Sequence, residues 1–407
     1  MWLFLNRDRQ KTSYFNLPSN FHATHKRLKY SSLVALSCLT VYACVLLVKA
    51  RMEDFLLQAR SSAQDKFESD PLLLEPFLVK AYWNLTEYNL LPDLAELRWP
   101  RTEYSNVPAG SLDSDGTVIP RPAAFEPVFS KGQRALFTRL LSLFADVMST
   151  SGLGDKFILN AGTLHGSLRH HDFIPYDEDV DVCVDKEVLP KIITLFQEYK
   201  PEYVFRYGKR LSKFYTRRIP TQLEAVDSEY SRNTSKYPWL YPALDICYYT
   251  KNDTHVHEIL ADGQVRTWAR SVFFPLLFRP FGFRWYPTPF NSIRYLRTLV
   301  AQGPNCIRVE WDHVTESERK RSSIPCKVLG NRYAFVERSK ANRPLVSSRF
   351  PGKLVNNLVV SRERLVVWNK NEVSLTVVHE LYLPVHPDLA SLDTYDYSRN
   401  NINELLI

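Results

Sequence analysis

The sequence has little glycine and no obvious internal repeat. Only 13 of its 407 residues are glycine, which excludes a collagen-like chain, and the absence of a repeat period argues against solenoids and propellers. The chain is not dominated by polar residues either, because 45% of it is apolar. Bulk disorder is therefore excluded, and the length allows two or three globular domains.

Beyond residue 51 the chain has almost no net charge. The whole sequence has 52 basic and 44 acidic residues, a formal net charge of +8. Six basic residues and one acidic residue precede residue 30, and Lys49 and Arg51 follow soon after, so this end carries nearly all of the excess. A nucleic-acid-binding protein would carry a basic patch on its folded domain. The distribution argues against a nucleic-acid partner.

One long uncharged run, Tyr30–Val48, follows the basic tail. As a helix it would span about 28 Å, close to the hydrocarbon thickness of a bilayer. A cleaved signal peptide is a weaker alternative, because the run is long and no small-x-small cleavage site follows it; a buried core helix is another. By the positive-inside rule, we predict a cytosolic tail (1–29), a single transmembrane anchor (30–48) and a type II topology.

Cysteines and glycosylation sequons agree with this topology. Two of the six cysteines lie in the predicted anchor, and the other four suffice for one or two disulfides in an oxidising lumen: Cys183, Cys247, Cys306 and Cys326. Cys306 and Cys326 are a candidate pair, and a free buried cysteine is the alternative, above all for Cys183. Three Asn-x-Ser/Thr sequons fall on the predicted luminal side, at Asn84, Asn233 and Asn252.

The remaining chain reads as a stem, a catalytic domain and a β-rich extension. We expect a stem and linker over 49–129, with a possible helix over Met52–Gln64, a catalytic domain over 130–325 and a C-terminal extension over 326–407. Ser130 and Gln133 form a capping box that opens a helix over Ser130–Ser149. The pattern further predicts a helix over Leu189–Glu198 and strands over Phe157–Asn160, Val180–Val184 and Ala243–Tyr249. This succession indicates an α/β or α+β fold, although the region from Ser271 onward has no clean period.

Small residues at a predicted strand-to-helix junction suggest a phosphate site. Gly162 and Thr163 follow the first strand, and Gly166 lies within the short helical stretch after it. Backbone N–H groups at a helix start are free, and the helix dipole favours anions there. Arg169 and His170 could add positive charge. Arg169 is a candidate for bidentate phosphate binding, and a salt bridge to the nearby acids is the alternative.

Acidic residues follow at a spacing that favours a metal ion. Asp179 and Asp181 are two apart on a predicted strand, so both side chains project from one face. Two carboxylates aimed at one point repel unless a cation such as Mg²⁺ or Mn²⁺ lies between them. Asp245, on another buried strand, could complete the metal site or act as a base, and Asp177 could be a base or a supporting carboxylate. A solvated strand face is the alternative.

These residues resemble the signature of the LicD/fukutin family, roughly G-[ST]-L-L-G-x-x-R-H-x-x-x-I-P-W-D-x-D-[IV]-D. The matching positions are Gly162, Thr163, Leu164, Gly166, Arg169, His170, Ile174, Pro175, Asp177, Asp179 and Asp181. His165 and Tyr176 depart from the usual Leu and Trp. Leu244–Tyr248 looks like the later Asp-Ile-Phe strand of the family, and Pro289–Leu296 is weakly similar to its Pro-Asn-x-x-x-Tyr-Leu element. The strong match covers about 30 residues, with loose similarity to about residue 300.

The resemblance implies a nucleotidyltransferase-like core and a metal-dependent phosphotransferase. Members move a phosphorylated alcohol, such as phosphocholine or ribitol phosphate, from a CDP-linked donor to a glycan hydroxyl. The implied metal ligands are Asp179, Asp181 and Asp245. The fukutin branch consists of Golgi type II membrane proteins, so we expect a Golgi or ER membrane enzyme that acts on a glycoprotein or glycolipid.

Two other functions stay open at this level. Nucleotide-sugar glycosyltransferases also use Asp-x-Asp with Mn²⁺, and a family member could be a catalytically silent glycan-binding protein. Two further patterns are weaker. The basic segment Arg206–Arg218 could bind an anionic group but is more typical of a solvated hairpin face, and His255 and His257 are more typical of a surface pair than of half a zinc site.

Overall fold

A computed structural model describes residues 42, 45–49, 51–52, 70–218, 230–296, 305–347, 357–369 and 374–390. The chain divides into two compact units, residues 1–67 and 68–407. In the first unit the described residues are helical; the predicted tail, most of the predicted anchor and most of Met52–Gln64 lie outside them. None of the helices in the described part of the chain is long and apolar enough to cross a bilayer. The anchor therefore stays a prediction.

The second unit combines helices and strands. Its described helices are α1 (Leu85–Tyr88), α2 (Lys131–Thr150), α3 (Ala161–His170), α4 (Leu189–Gln197), α5 (Arg270–Phe273), α6 (Ser292–Leu296) and α7 (Pro387–Ala390). Its described strands are β1 (Leu72–Leu73), β2 (Phe157–Leu159), β3 (Val180–Asp185), β4 (Tyr203–Arg206), β5 (Leu211–Thr216), β6 (Leu244–Lys251), β7 (His255–Ile259), β8 (Val265–Ala269), β9 (Leu277–Phe281), β10 (Arg284–Thr288), β11 (Asn305–Arg308), β12 (Trp311–Asp312), β13 (Ser317–Glu318), β14 (Ser322–Pro325), β15 (Phe335–Lys340), β16 (Leu345–Val346), β17 (Val359–Asn369) and β18 (Ser374–Val385). The expected mixed α/β class is confirmed.

A seven-stranded mixed sheet forms the centre of this unit. Its main order is β2-β3-β6-β5-β4, and β7 and β8 extend it from the second half of β6. Only β3 and β6 run parallel to each other; the other neighbouring strands are antiparallel. Because β3 and β6 are parallel and in register, their first residues lie at one edge of the sheet. Asp181 and Asp245 are the second residues of these two strands, and Asp177 and Asp179 shortly precede β3.

The helix α2 packs its apolar face against this sheet. The capping box that the sequence predicts is present: the Ser130 side chain accepts a hydrogen bond from the Gln133 backbone N–H, and the Gln133 side chain accepts one from the Ser130 N–H. Phe144 on α2 lies in contact with the rings of Phe157 on β2 and Phe196 on α4. The three predicted strands and both predicted helices are confirmed, with ends that differ by one or two residues.

A second, antiparallel sheet of β15, β17 and β18 packs against the core through a buried ionic cluster. Glu363 on β17 accepts two hydrogen bonds from Arg279 on β9, at 2.7 and 3.1 Å. The same carboxylate accepts a bond from Arg338 at 3.0 Å and lies 2.8 Å from Nε2 of His171. These groups are buried, so their hydrogen bonds are protected from water. The C-terminal sheet is thereby tied to the end of α3.

The segment after Ser271 folds although its sequence has no regular period. It contains the β9–β10 hairpin and α6. All five residues of β9 are buried, so this strand has no exposed face to mark with polar residues. Arg279, in the middle of the strand, is buried because Glu363 pairs with it. A pattern search based on alternation therefore could not have found this hairpin.

The Gln133 side chain gives a test of the packing of α2. Its amide donates to the Ala109 carbonyl oxygen (2.7 Å), and its oxygen accepts from the Ala109 and Ser130 N–H groups (2.9 and 3.3 Å). We expect Gln133→Ala to lower the free energy of unfolding by about 2–4 kcal/mol, because buried backbone groups lose their partners. The exposed control Thr138→Ala should change it by less than about 0.5 kcal/mol. Guanidinium denaturation measures both values, and equal effects of the two substitutions would contradict this account.

Candidate active site

The first turn of α3 lies directly against the acidic segment. Thr163 accepts a hydrogen bond at its Oγ1 from the backbone N–H of Asp181, at 2.7 Å. A Cβ atom added at Gly162 would lie 2.4 Å from Oδ2 of Asp177, so only glycine lets this carboxylate approach the helix. The N–H groups of a helical first turn have no partner within the helix. Gly162 and Thr163 thus position two acids next to a potential anion site.

Three half-buried carboxylates share one cavity. Asp177, Asp179 and Asp181 line a space of about 220 Å³ together with residues of α3 and β11. Burial, and then the negative charge of Asp179, raises the pKa of Asp177 and that of Asp181 well above their ordinary range. A bound cation would stabilise the ionised form of such closely spaced carboxylates.

Asp245 and His313 complete a group of possible metal ligands. Asp181 on β3 and Asp245 on β6 are register partners in the parallel pair. The ligand atoms of Asp179, Asp245 and His313 all lie within 4.8 Å of one another, and Nε2 of His313 is 3.3 Å from Oδ2 of Asp179. Carboxylate oxygens suit Mg²⁺ and Mn²⁺, and an imidazole nitrogen suits Mn²⁺ better than Mg²⁺. The residues present therefore fit a divalent ion.

A buried lysine lies beside Asp245. Lys213, on β5, donates to Oδ2 of Asp245 at 2.8 Å and to Oε1 of Glu316 at 2.7 Å. Burial opposes the charged lysine, but the two carboxylates outweigh that effect and raise its pKa. Burial raises the pKa of Asp245 to about 6, while Lys213 acts in the opposite direction. The sequence placed Lys213 only in a basic segment that was expected to be a solvated hairpin face. β4 and β5 do form a hairpin, but every residue of β5 after Leu211 is buried, so the expectation of a solvated face was wrong for β5.

Glu178 fixes the loop that carries His313. Its side chain is buried and accepts from the His313 backbone N–H and from Nη1 of Arg319, both at 2.9 Å. Arg121 forms a salt bridge to the same carboxylate and another to Asp312, at 2.6 Å. Glu178 is thus occupied by structural partners, although it lies between two candidate ligands in the sequence.

Guanidinium groups line the same cavity as the acids. Arg169, Arg308 and Arg319 all contribute to its wall. Arg169 donates toward Sγ of Cys306 at 3.8 Å. Cys306 is joined to Cys326 in a disulfide, and a second disulfide joins Cys183 to Cys247. The bonded Cys183 corrects the alternative of a free buried thiol.

Two residues of the expected phosphate site serve other purposes. His170 lies outside the 220 Å³ cavity; its Nδ1 is 2.7 Å from the carbonyl oxygen of Ala334 and must donate to it. Burial lowers the pKa of His170 to about 3, so it is neutral and adds no positive charge. A Cβ at Gly166 would lie 2.4 Å from the Asp172 carbonyl oxygen, so Gly166 permits close packing of that segment. The residue types of His170 and Gly166 fit an anion site, but in the structure both residues contact other segments of the protein.

The three sequon asparagines are exposed, as glycosylation requires. Asn84 caps α1 by accepting from the Glu87 N–H, and Asn233 and Asn252 lie in connecting segments. His255 and His257 lie on β7, and the structure brings no third metal-ligating residue to them within its described part. They remain a surface pair.

Comparison with known proteins finds a family model that matches the segment with the acidic site. Residues 154–291 match the family model described as LicD/FKTN/FKRP, nucleotidyltransferase domain. No curated protein matches the chain. The matched segment includes the Asp177–Asp181 run, Lys213 and Asp245, but it ends before His313, Glu316 and Arg319. The cavity is therefore completed by residues that follow the matched segment.

The neutral His170 predicts a pH dependence of stability. Its pKa is about 3 in the folded protein and about 6.5 in an unfolded chain. Between these two pH values the folded state therefore binds fewer protons than the unfolded state. The free energy of unfolding that His170 contributes above pH 6.5 is lost as the pH falls toward 3. From pH 6.5 to 5 the wild type should lose about 2 kcal/mol more unfolding free energy than His170→Gln.

Denaturant titrations at both pH values measure this difference. The control His255→Gln, at an exposed position, should follow the wild type. A pH dependence of His170→Gln equal to that of the wild type would show that His170 takes up a proton without cost.

Proposed function

We propose, from the match of residues 154–291 to the LicD/fukutin family model, that the protein belongs to this family and is a metal-dependent phosphotransferase. It would move a phosphorylated alcohol, of the phosphocholine or ribitol phosphate type, from a CDP-linked donor to a glycan hydroxyl. The observation that carries the proposal is the group of Asp179, Asp181, Asp245 and His313 at one edge of the sheet, beside a cavity lined by arginines. Glycan modification by a transferase is the general activity of the family.

The metal would be held by Asp179, Asp245 and His313, with Asp181 adjacent. Mg²⁺ or Mn²⁺ held by these residues would supply positive charge for the donor diphosphate. The protein contributes orientation and positive charge. Arg308 and Arg319 line the same cavity as the acids, where guanidinium groups can hold phosphate oxygens in pairs. The cavity of about 220 Å³ would limit the water around the reacting phosphorus.

Asp177 is a better candidate than Asp245 for the base that takes the proton of the acceptor hydroxyl. Burial raises its pKa, which favours proton uptake at neutral pH. Asp245 already accepts a hydrogen bond from Lys213 at one oxygen, so it is the poorer proton acceptor. In the transfer, the acceptor oxygen bonds to the phosphorus of the phospho-alcohol, the phosphoanhydride bond breaks and CMP leaves. The hydroxyl proton passes to Asp177.

We further propose that the enzyme is a single-pass type II protein of the Golgi or ER membrane. The support is the uncharged run Tyr30–Val48 with its basic flank, the exposed sequons and the two disulfides. Oxidising compartments favour such disulfides. The partners are then a CDP-linked donor, a glycan acceptor and the membrane.

Removing one ligand charge tests the catalytic proposal. The full-length protein in detergent should release CMP from a CDP-linked alcohol donor with Mg²⁺ or Mn²⁺. Asp179→Asn and Asp181→Asn should lower this rate roughly 10²–10⁴-fold, because each removes a charge of the reacting group. The control Asp253→Asn, at an exposed position, should retain the wild-type rate.

A donor panel separates this proposal from the alternatives. CDP-ribitol, CDP-choline, UDP-sugars and GDP-sugars are compared with the same enzyme. Preference for a UDP- or GDP-sugar would replace the phosphotransferase by a glycosyltransferase. No turnover and no nucleotide binding by calorimetry would indicate a silent glycan-binding protein.

The topology has its own test. In cells, Asn84→Gln, Asn233→Gln and Asn252→Gln should each remove one mobility step that glycosidase treatment also removes. The matched control Asn89→Gln lies five residues from Asn84 and outside any sequon, so it should keep the wild-type mobility. A wild-type chain without any glycosidase-sensitive shift would contradict the luminal assignment.

A further inference from the structure

We propose that Lys213 is the second cation of this site, so that the protein binds one divalent metal ion and a lysine ammonium takes the place of another. The inference deepens the proposed function and rests on its metal-dependent site. Two-metal phosphoryl-transfer sites hold two divalent ions about 3.5–4 Å apart between shared carboxylates. Here one position between carboxylates is filled by the chain itself.

The sheet register brings the lysine to that position. Asp181 on β3 pairs with Asp245 on β6, and Asp245 pairs with Lys213 on β5. Register partners on neighbouring strands project to the same face, so the three side chains form one row across the sheet. The row reads acid, acid, lysine. The Lys213 ammonium therefore lies on the same face of the sheet as the carboxylates of Asp181 and Asp245.

The contacts of Lys213 are those of a bound cation. Its Nζ lies 2.8 Å from Oδ2 of Asp245 and 2.7 Å from Oε1 of Glu316. These are distances of charge-assisted hydrogen bonds. Only 5% of the residue is exposed, so it differs from a mobile surface lysine. An ion entering between these two carboxylates would have to displace a buried ammonium.

Glu316 is held for this contact by surrounding groups. The indole N–H of Trp239 donates to its Oε1 at 2.8 Å, and that of Trp311 donates to its Oε2 at 3.0 Å. Its backbone lies in the left-handed region, with φ 51°, which costs energy for a residue with a side chain. Both ring donors and the strained backbone fix one carboxylate opposite Lys213.

The remaining ligands leave one place for a metal ion. Asp179 and His313 line the 220 Å³ cavity, and Nε2 of His313 lies 3.3 Å from Oδ2 of Asp179. Both residues also border a small space that Lys213, Asp245 and Glu316 line. One ion on the cavity side and the ammonium on the other would divide the carboxylates between them, and Asp245 would contribute one oxygen to each.

Counting bound ions tests the inference. The full-length protein in detergent is titrated with Mn²⁺ alone, and free Mn²⁺ is measured by electron paramagnetic resonance. The wild type should bind about one ion per chain, and Lys213→Met should bind about two. The control Lys191→Met replaces an exposed lysine and should behave as the wild type. Two ions on the wild type, or one on a folded Lys213→Met, would overturn the inference.

A melting experiment decides the case in which Lys213→Met is unstable. Without metal this variant should melt well below the wild type, and excess Mn²⁺ should raise its melting temperature more than that of the wild type, because an added ion replaces the missing charge. Lys213→Arg keeps a cation and should bind one ion. Failure of Mn²⁺ to stabilise Lys213→Met more than the wild type would contradict the inference.

The outcomes separate this inference from the proposed function. A wild type that binds two Mn²⁺ ions and releases CMP would leave the phosphotransferase intact and remove the role of Lys213. A wild type that binds no Mn²⁺ would overturn both.

Discussion

Repulsion among carboxylates gathered at one edge of the central sheet is the constraint on which the site depends. Asp177, Asp179, Asp181 and Asp245 are brought together because β3 and β6 run parallel and in register. Burial raises the pKa of three of them, those of Asp177, Asp181 and Asp245. Groups of one sign at this separation persist only with positive charge between or beside them. The surrounding elements supply that charge.

Each neighbouring segment contributes to this balance. The hairpin of β4 and β5 brings Lys213, and the segment after β11 brings His313 and Arg319. Glu178 is the connection between the acidic run and this later segment, since its buried carboxylate binds the His313 N–H and Arg319. The acids thus organise a loop more than 130 residues away in sequence. Loss of Glu178 would affect the position of His313 before it affected any ligand directly.

The C-terminal sheet belongs structurally to the same core. The cluster around Glu363 joins β17 to β9 and to His171, directly after α3. The Ala334 carbonyl oxygen, next to β15, accepts from His170. The end of the helix whose start faces the acids is therefore fixed by residues of the predicted extension. The position of α3, and with it Gly162 and Thr163, depends on both parts of the chain.

The sequence determined the elements whose signals are local. The capping box of Ser130, the alternation in Val180–Val184 and the Asp-x-Asp spacing each depend on residues a few positions apart, and together with the family resemblance they identified the acids. Only the tertiary structure decided that Lys213 faces Asp245, that His313 joins the ligands and that His170 points away. These outcomes depend on strand register and on contacts between residues far apart in sequence, and no local period encodes which distant side chain will meet a given carboxylate.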